Sequence, residues 1–422
     1  MSWWKRIKYF VQVIFIGGVL LFALGPGTVP LSDEREQIRA YTRAIEFDYI
    51  DWTIDALLTK LSFASLGLAD YLNREEQRQV VFEYLDLVGQ IQTAEYQLSL
   101  IYTDPNVADP EKTAAPVTAQ LEDLYRQRAE IQPLTEMVIQ QMVTKVIAEE
   151  ELDFTGQPVP QVMFHSTPLP WALIVSPREI IQQDANISLA VDQTIEDHIR
   201  LEEQISTSQD VSTLVVPIGG VGTYPSMIAQ STNLNWLMEV VAHEWIHNYL
   251  TFNPLGVRYG ESPELRTINE TTASIAGNEI GAAVIAEFFP EFIPPPPQPP
   301  VEQSPDPLPE AVPPVFDFRA EMFETRVKVD QLLIEGKINQ AESYMEARRE
   351  FFWEHGYHIR KLNQAYFAFY GAYADSPGGS AGEDPVGGAV RELRAQADSL
   401  GDFIEKIARV KSFEQLLSLV AP

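Results

Sequence analysis

Apolar residues recur at helical spacing along most of the first third of the chain, with charged and amide side chains between them. Capping-box signals, an Asp or Asn followed three residues later by Glu, open two of these stretches. The predicted helices span residues 33–72, 74–103 and 117–151, the last interrupted near Pro133. We therefore expect residues 32–152 to form an antiparallel helical bundle or stalk.

The pattern changes between residues 160 and 228, where short β-branched and aromatic runs alternate with turn residues. The predicted elements are strands at Trp171–Val175, Ile187–Val191, Ser212–Pro217 and Val221–Ile228, and a helix at Gln193–Ser206. The last two strands are joined by a turn at Gly219–Gly220. Their prolines suit a sheet edge, to which an extended peptide can add, although an ordinary hairpin explains the pattern equally well.

Helical spacing returns in the second half of the chain. Two helices are predicted from Trp236 to Leu250 and from Thr267 to Phe289, followed by a proline-rich surface linker for which a partner-binding role is the alternative. The remaining predictions are helices over 316–373, a Gly-rich loop over 375–385 and a last helical pair from Gly388. The expected fold class is α+β and mostly helical, with a mixed domain over 155–292, a linker over 293–315 and a helical subdomain over 316–422.

The N-terminus has the pattern of a membrane anchor. Residues 1–8 are basic and aromatic, and residues 9–25 form an apolar run without a charged residue. With its flanks, a helix through this run can cross most of a hydrocarbon core of about 30 Å. The basic flank predicts a cytoplasmic tail and a single-pass cell-membrane protein that inserts into the lipid bilayer through residues 9–25 and faces outward. Secretion after signal-peptide cleavage is the alternative, which Pro26 disfavours.

Composition narrows the possible functions. The net charge of −30 excludes nucleic-acid binding, because the phosphate backbone would be repelled. The chain has no cysteine, so an exported domain must be stabilised by its core rather than by disulfides. A hydrophobic content of 45% in 422 residues is sufficient for such a core.

The most specific motif is His243-Glu244-Trp245-Ile246-His247, inside the first helix of the second half. Histidines four residues apart share one helix face and can bind a single metal ion. Glu244 projects about 100° away, where it can accept a proton from a metal-activated water without binding the metal. The alternative is a buried helix whose histidines are satisfied by hydrogen bonds. With only six histidines in the chain, we favour a zinc site.

Catalytic zinc takes three protein ligands and keeps a fourth position open, so one ligand must lie elsewhere. The following helix offers two carboxylates. Glu270 comes early in that helix, and Glu279 is the rival third ligand, with a surface or ligand-supporting role as its alternative.

Together these motifs resemble the gluzincin metallopeptidases, in which an HExxH helix is followed by a helix bearing Asn-Glu, here Asn269-Glu270. The segments Ile268–Gly277 and Lys361–Tyr370 are also similar to two segments of a bacterial aminopeptidase family. The resemblance covers the second half of the chain. It implies a zincin-like catalytic domain, a small mixed sheet with metal-binding helices, and one Zn²⁺ per chain, with His243, His247 and Glu270 as ligands and Glu244 as general base.

The chain departs from these relatives at two places. Ser274 stands where thermolysin-like gluzincins have an aspartate that supports the first histidine, so that support must come from Ser274, a backbone carbonyl or another residue. The segment Pro217–Pro225 lacks the Gly-x-Met-Glu-Asn pattern with which animal-type aminopeptidases hold the substrate amine. These departures favour the broader description, metallopeptidase.

Histidines and tyrosines also cluster between Trp353 and Tyr370. Peptide hydrolysis needs a donor for the developing oxyanion, and we predict Tyr366 or His358 in that role, with Arg360 as an anchor for an anionic group. A core helix rich in aromatic residues produces the same pattern.

These inferences predict a membrane-anchored, extracytoplasmic zinc metallopeptidase acting on peptide or protein substrates. One alternative is a zincin-like scaffold without activity that binds partners, which the intact Glu244 disfavours. Another is a zinc hydrolase acting on other bonds, which the predicted edge strand disfavours.

Overall fold

The computed structural model describes residues 34–64, 67–104, 106–152, 156–295 and 316–421. The chain divides into two compact units between Ile45 and Glu46. Helix α1 (Glu34–Thr42) belongs to the first unit, and all elements below belong to the second. The expected tail and anchor over residues 1–25 and most of the proline-rich linker lie outside the described residues. Among the helices that are described, none combines the length and apolar character needed to span a bilayer.

The second unit begins with α2 (Tyr49–Ala64), a 3₁₀ turn (Leu68–Tyr71), α3 (Arg74–Thr103) and α4 (Pro110–Glu149). The predicted capping box opens α3: Asn73 accepts the Glu76 N–H, and the Glu76 carboxylate accepts the Asn73 N–H. Gln77, near the start of α3, is hydrogen-bonded to Gln141 in the last part of α4, and Glu95, later in α3, is hydrogen-bonded to Tyr125 in an earlier part of α4. The two helices are therefore antiparallel.

Two helix predictions in this region are wrong. The continuous helix expected over 33–72 is broken before α2, because Glu46 bridges to Leu189 and the Phe47 N–H donates to the Ser188 carbonyl. Conversely, α4 starts at Pro110 and continues through Pro133 without a break. Proline removes one helical hydrogen bond, but the following turns are held by a fully buried apolar face that includes Val138, Val143 and Ile147.

Within the described ranges, six strands form two three-stranded sheets. They are β1 (Phe164–Ser166), β2 (Trp171–Pro177), β3 (Ala185–Leu189), β4 (Val211–Val216), β5 (Gly220–Val221) and β6 (Ser226–Ile228), with α5 (Ile195–Gln209) between β3 and β4. One sheet has the antiparallel order β3-β2-β4, with Leu173 opposite Ile187 and Val215. The other has the order β1-β6-β5, with β1 parallel and β5 antiparallel to β6.

The predicted hairpin between residues 212–217 and 221–228 is wrong. β4 pairs with β2 instead, and β5 and β6 pair with each other in the second sheet. Pro217 follows β4 directly and cannot donate to a ladder, so the chain leaves the first sheet there.

The rest of the fold is helical. It comprises α6 (Leu234–Leu250), α7 (Pro254–Val257), α8 (Pro263–Phe288), a 3₁₀ turn (Pro290–Phe292), α9 (Phe318–Ile334), α10 (Ile338–Glu354), α11 (Gln364–Tyr370), a 3₁₀ turn (Gly379–Ala381), α12 (Pro385–Gln396), α13 (Leu400–Ile407) and α14 (Phe413–Val420). The stretch predicted as helical over 316–373 is interrupted where Gly336 and Gly356 adopt positive φ and end α9 and α10. Three helices rather than a pair close the chain between Pro385 and Val420.

One large core runs through most of the second unit. Fully buried side chains from α3, α4, α6, α8 and the last helices meet in it, among them Val81, Val143, Ile246, Val284 and Phe403. A smaller cluster packs α11 against the β2–β4 face, and α9 and α10 share another. The fold is therefore mostly helical α+β, as the sequence predicts, and α3 and α4 share a core with the motif-bearing helices.

Candidate metal centre

The helices that carry the motif residues, α6 and α8, lie antiparallel and in close contact. Asn233 caps α6, where its side chain accepts the Trp236 N–H, and Ser262 caps α8, where its side chain accepts the Leu265 N–H. Glycines on α8 allow the approach: a Cβ on Gly277 would lie 3.0 Å from the Glu239 carbonyl oxygen, and one on Gly281 would lie 2.8 Å from the Glu239 Cα. Small residues thus set the distance between the two helices.

His243, His247 and Glu270 converge where α6 and α8 face each other. The Nε2 atoms of His243 and His247 are 3.1 Å apart. Oε2 of Glu270 lies 3.8 Å from the first nitrogen and 3.5 Å from the second. This oxygen is buried without a hydrogen-bond partner among the described residues, whereas buried polar atoms normally have one. In the described part of the chain, this is the only group of three or more side chains arranged to bind one metal ion.

Neighbouring groups fix the orientation of both histidines. Oδ1 of Asn269 lies 2.8 Å from Nδ1 of His247. His243 has a hydrogen bond to the Ala273 backbone, and Ser274 lines the cavity described below. The support for His243 that the sequence left open therefore comes from a backbone group, and Asn269 supports His247. Both Nε2 atoms are left facing each other.

Two tyrosines that the sequence analysis missed lie at the same place. Tyr259, between α7 and α8, donates its O–H to Oε1 of Glu270, so that only Oε2 faces the histidines. The ring of Tyr373 has its centroid 6.3 Å from that of His243. Neither tyrosine has a fixed spacing from the motif, because each is positioned by a loop, and no local sequence signal could have found them.

Burial and mutual proximity shift the pKa values of the three converging groups. Burial and the neighbouring His247 lower the pKa of His243 to about 3. Burial also disfavours the charged form of His247, but the Glu270 carboxylate outweighs it and raises that pKa to about 9. Burial opposes ionisation of Glu270, yet His247, Arg266 and His243 hold its pKa well below the usual range. At neutral pH the cluster thus contains the Glu270 carboxylate paired with a protonated His247, beside a neutral His243. A metal ion bound to both Nε2 atoms would replace the His247 proton.

Glu244 lies beside this cluster, against the chain around β5. A Cβ on Gly220 would overlap the Glu244 carboxylate, and one on Gly222 would lie 3.5 Å from its Oε2. The carboxylate is buried, and burial raises its pKa to about 7 against the opposing charge of His247. A carboxyl group with a pKa near neutrality can both accept and return a proton.

A cavity of about 590 Å³ opens over these residues. Its walls come from Tyr49 at the start of α2, the glycine-rich chain around β5, the facing sides of α6 and α8, and the end of α11. Among the described residues, its lining includes the carboxylates Glu239, Glu244 and Glu270 but no lysine or arginine. The cavity is therefore acidic, with the converging side chains in its wall.

The predicted oxyanion donors Tyr366 and His358 do not line this cavity. Tyr366 lies on α11 and packs against Tyr370 with ring centroids 4.5 Å apart. His358 is exposed and stacks on Trp353 at 4.1 Å. The prediction relied on their position in a segment rich in histidine and tyrosine. In the structure Tyr373, which follows α11, lines the cavity, and these two residues do not.

Two other predicted roles are corrected by ion pairs. Arg360 binds the buried Glu202 through both terminal nitrogens, at 3.1 Å for Nη1, and is therefore not a free anchor for an anion. Glu279, the rival third ligand, binds Arg394 with two hydrogen bonds of 2.8 and 2.7 Å and lies outside the cavity. Both carboxylates are balanced by arginine within the fold.

Comparison with known proteins adds nothing to this description. No protein-family model, curated protein or solved structure matches the chain. The function must therefore be inferred from the site itself.

Proposed function

We propose that the chain is a zinc metallopeptidase of the gluzincin type, with a zincin-like domain built around α6, α8 and the small sheets. The observation that carries the proposal is the convergence of His243, His247 and Glu270. Oε2 of Glu270, which faces the two histidines, is buried without a hydrogen-bond partner among the described residues. A cation held by the three side chains would satisfy this oxygen and both Nε2 atoms.

The donor set supports zinc over calcium or magnesium. Two imidazole nitrogens and one carboxylate oxygen are ligands typical of catalytic zinc, whereas calcium and magnesium take mainly oxygen ligands. Ligands at about 2.0–2.2 Å from one tetrahedral ion lie about 3.4 Å apart. The separations here, 3.1, 3.5 and 3.8 Å, are close to that value.

Glu244 is the proposed general base. A zinc ion held by His243, His247 and Glu270 would supply Lewis acidity and lower the pKa of a water molecule to about 7. Glu244 lines the cavity but is not one of the converging donors, so its carboxylate is available to take the proton from that water. With a pKa of about 7, it can return the proton to the leaving amine near neutral pH.

Tyr373 replaces Tyr366 and His358 as the proposed oxyanion donor. Its side chain lines the cavity, and its ring lies beside that of His243. Two other tyrosines of the cavity wall already have hydrogen-bond partners: Tyr259 donates to Glu270, and Tyr49 pairs with Ser188. Burial raises the pKa of Tyr373 well above 10, so its hydroxyl keeps its proton at neutral pH and can donate it in a hydrogen bond.

The position of β5 supports a peptide substrate. β5 is at the edge of its sheet, and residues 219–222 line the cavity. An extended peptide can pair with such an edge, and the three glycines of this segment let another backbone approach closely. The apolar run at 9–25 supports an extension of the proposal, in which the peptidase is anchored in the cell membrane and faces outward.

Hydrolysis of a fluorogenic peptide library by the zinc-loaded chain tests this function. We expect cleavage by the wild type and a loss of at least about 100-fold in Glu244→Gln, which removes the base and keeps the side-chain shape. Glu264→Gln, at an exposed position on α8, is the matched control and should cleave like the wild type. Full activity of Glu244→Gln would contradict the proposed mechanism.

A further inference from the structure

Glu239 is a third side chain on the motif-bearing face of α6 that lines the cavity. It precedes His243 by four residues, as His243 precedes His247, so the three side chains share one face of the helix. Four residues correspond to about 6 Å along a helix axis. Glu239 therefore borders the cavity about one helical turn from the converging donors.

Glu239 is half-buried and, among the described residues, has no cationic partner. It makes no hydrogen bond or ion pair with any described residue, and the one charge that acts on it is that of Asp375, which is also negative. By contrast, Glu136 pairs with Lys60 and Glu202 pairs with Arg360. Burial and Asp375 raise the pKa of Glu239, which is the response of a half-buried carboxylate without a cation beside it.

The described lining of the cavity contains no cation that pairs with Glu239. It has no lysine or arginine, and its two histidines lie against Glu270. A zinc ion held by neutral His243, neutral His247 and the Glu270 carboxylate would carry one net positive charge, or none once its bound water is ionised, and Glu239 would remain a separate negative charge about one turn away. A cationic group on a ligand is the partner that such a carboxylate lacks.

We propose that Glu239 is a specificity-determining residue that binds a cationic group of the substrate, an ammonium or a guanidinium, within one or two residues of the cleaved bond. The reach follows from the 3.3 Å rise of an extended peptide, which covers about 6 Å in two residues. The same cationic chemistry is available from a free peptide N-terminus or from a lysine or arginine side chain. The proposal deepens the proposed peptidase function and rests on it.

Binding is measured separately from cleavage, so that failure of one idea is distinguishable from failure of the other. The full-length zinc-loaded chain carrying Glu244→Gln is titrated calorimetrically with three pentapeptides of otherwise identical sequence. One is neutral, acetylated and amidated; one has a free N-terminus; and one is acetylated and contains a central lysine. The same titrations are repeated with Glu239→Gln added and, as the matched control, with Glu383→Gln added, which removes one exposed carboxylate.

We expect at least one charged peptide to bind about tenfold more tightly than the neutral one, as a charge-assisted contact implies. This ratio should fall toward one with Glu239→Gln and persist with Glu383→Gln. The identity of the preferred peptide distinguishes an N-terminal amine from a side-chain cation. Equal binding of all three peptides, or a preference that survives Glu239→Gln, would overturn the proposal.

Cleavage by the chain with Glu244 intact provides the second readout. Preference in binding without cleavage of any peptide would retain the cation-binding role of Glu239 and reject the peptidase. Cleavage without preference would retain the peptidase and reject the role of Glu239.

Discussion

Tyr259 determines which oxygen of Glu270 faces the two histidines. Its O–H donates to Oε1, and Oε2 is left without a hydrogen-bond partner. Groups that orient metal ligands typically contribute about 10- to 100-fold to metal affinity. We therefore expect Tyr259→Phe, which removes only this hydroxyl, to weaken zinc binding by that factor in a titration against a competing chelator.

Tyr249→Phe is the matched control for this prediction. Tyr249 lies near the C-terminal end of α6, two residues after His247. Its hydroxyl has no hydrogen-bond partner in the described part of the chain. It should bind zinc like the wild type. Equal affinities for Tyr259→Phe and the wild type would show that the hydroxyl does not position Glu270.

At the residue scale, the sequence predicted the site residues that lie together on one helix and missed those that are positioned by loops. His243, Glu244 and His247 could be grouped because helix periodicity alone places them. Glu270 required the resemblance to a family, since it lies on a separate helix. Tyr259 and Tyr373 enter the cavity from loops whose course no local spacing encodes.

At the scale of elements, Gly281 sets the distance between α6 and α8. A Cβ there would lie 2.8 Å from both N and Cα of Glu239, so Gly281→Ala must push the helices apart. We expect it to lower the free energy of unfolding by about 1–3 kcal/mol, because overpacking outweighs the higher helix propensity of alanine. Urea denaturation measures the change.

Gly388→Ala supplies the control within another helix. A Cβ on Gly388 in α12 would meet only the Arg391 guanidinium, at 3.8 Å. Without a clash, alanine should leave stability unchanged or raise it by up to about 1 kcal/mol. If both alanine variants are equally stable, close packing at Gly281 does not matter.

A buried carboxylate, Glu136, joins α2, α4 and β1. It accepts hydrogen bonds from Lys60 and from the Ser166 N–H at 2.8 Å, and it lies 3.1 Å from Nδ1 of His165. Burial opposes its ionisation, but Lys60 and His165 outweigh this and lower its pKa to about 2. Since the folded pKa lies below the unfolded value near 4.5, the carboxylate stabilises the fold above about pH 4.5, and this contribution is lost as the pH falls toward 2.

Glu136→Gln should therefore lower the free energy of unfolding by about 3 kcal/mol at pH 7, and the difference from the wild type should shrink between pH 5 and pH 3. Urea denaturation over a pH series measures both effects. Glu130→Gln, at an exposed position on the same helix, should change stability by less than about 1 kcal/mol. A gap that does not vary with pH would show that Glu136 is not held ionised by its neighbours.

Elements with strong local signals were predicted correctly, and their pairings were not. The capping box at Asn73 and the apolar run of β2 correspond to observed elements. The hairpin between residues 212–217 and 221–228 was wrong because strand partners depend on distant segments: β2 pairs with β4, and β1 pairs with β6. Pro133 was overrated as a helix breaker, because tertiary burial of the α4 face stabilises the helix across it.

For the whole molecule, composition and periodicity correctly predicted a mostly helical α+β fold. They did not predict that α3, α4, the motif-bearing helices and the last helices would share one core. Shared burial of this kind is a property of the packed chain rather than of any segment. It ties α6 and α8 to both the early and the late helices, which gives the proposed metal site a rigid frame.

The zinc content of the purified, metal-replete chain tests the central claim most directly. Wild type, Glu270→Ala and Glu279→Ala are dialysed against metal-free buffer, and zinc per chain is measured by atomic spectroscopy. The account predicts one zinc in the wild type and in Glu279→Ala, whose native carboxylate pairs with Arg394 instead of facing the histidines, and loss of zinc in Glu270→Ala. A wild type without zinc, or a Glu270→Ala chain that retains it, would contradict the account.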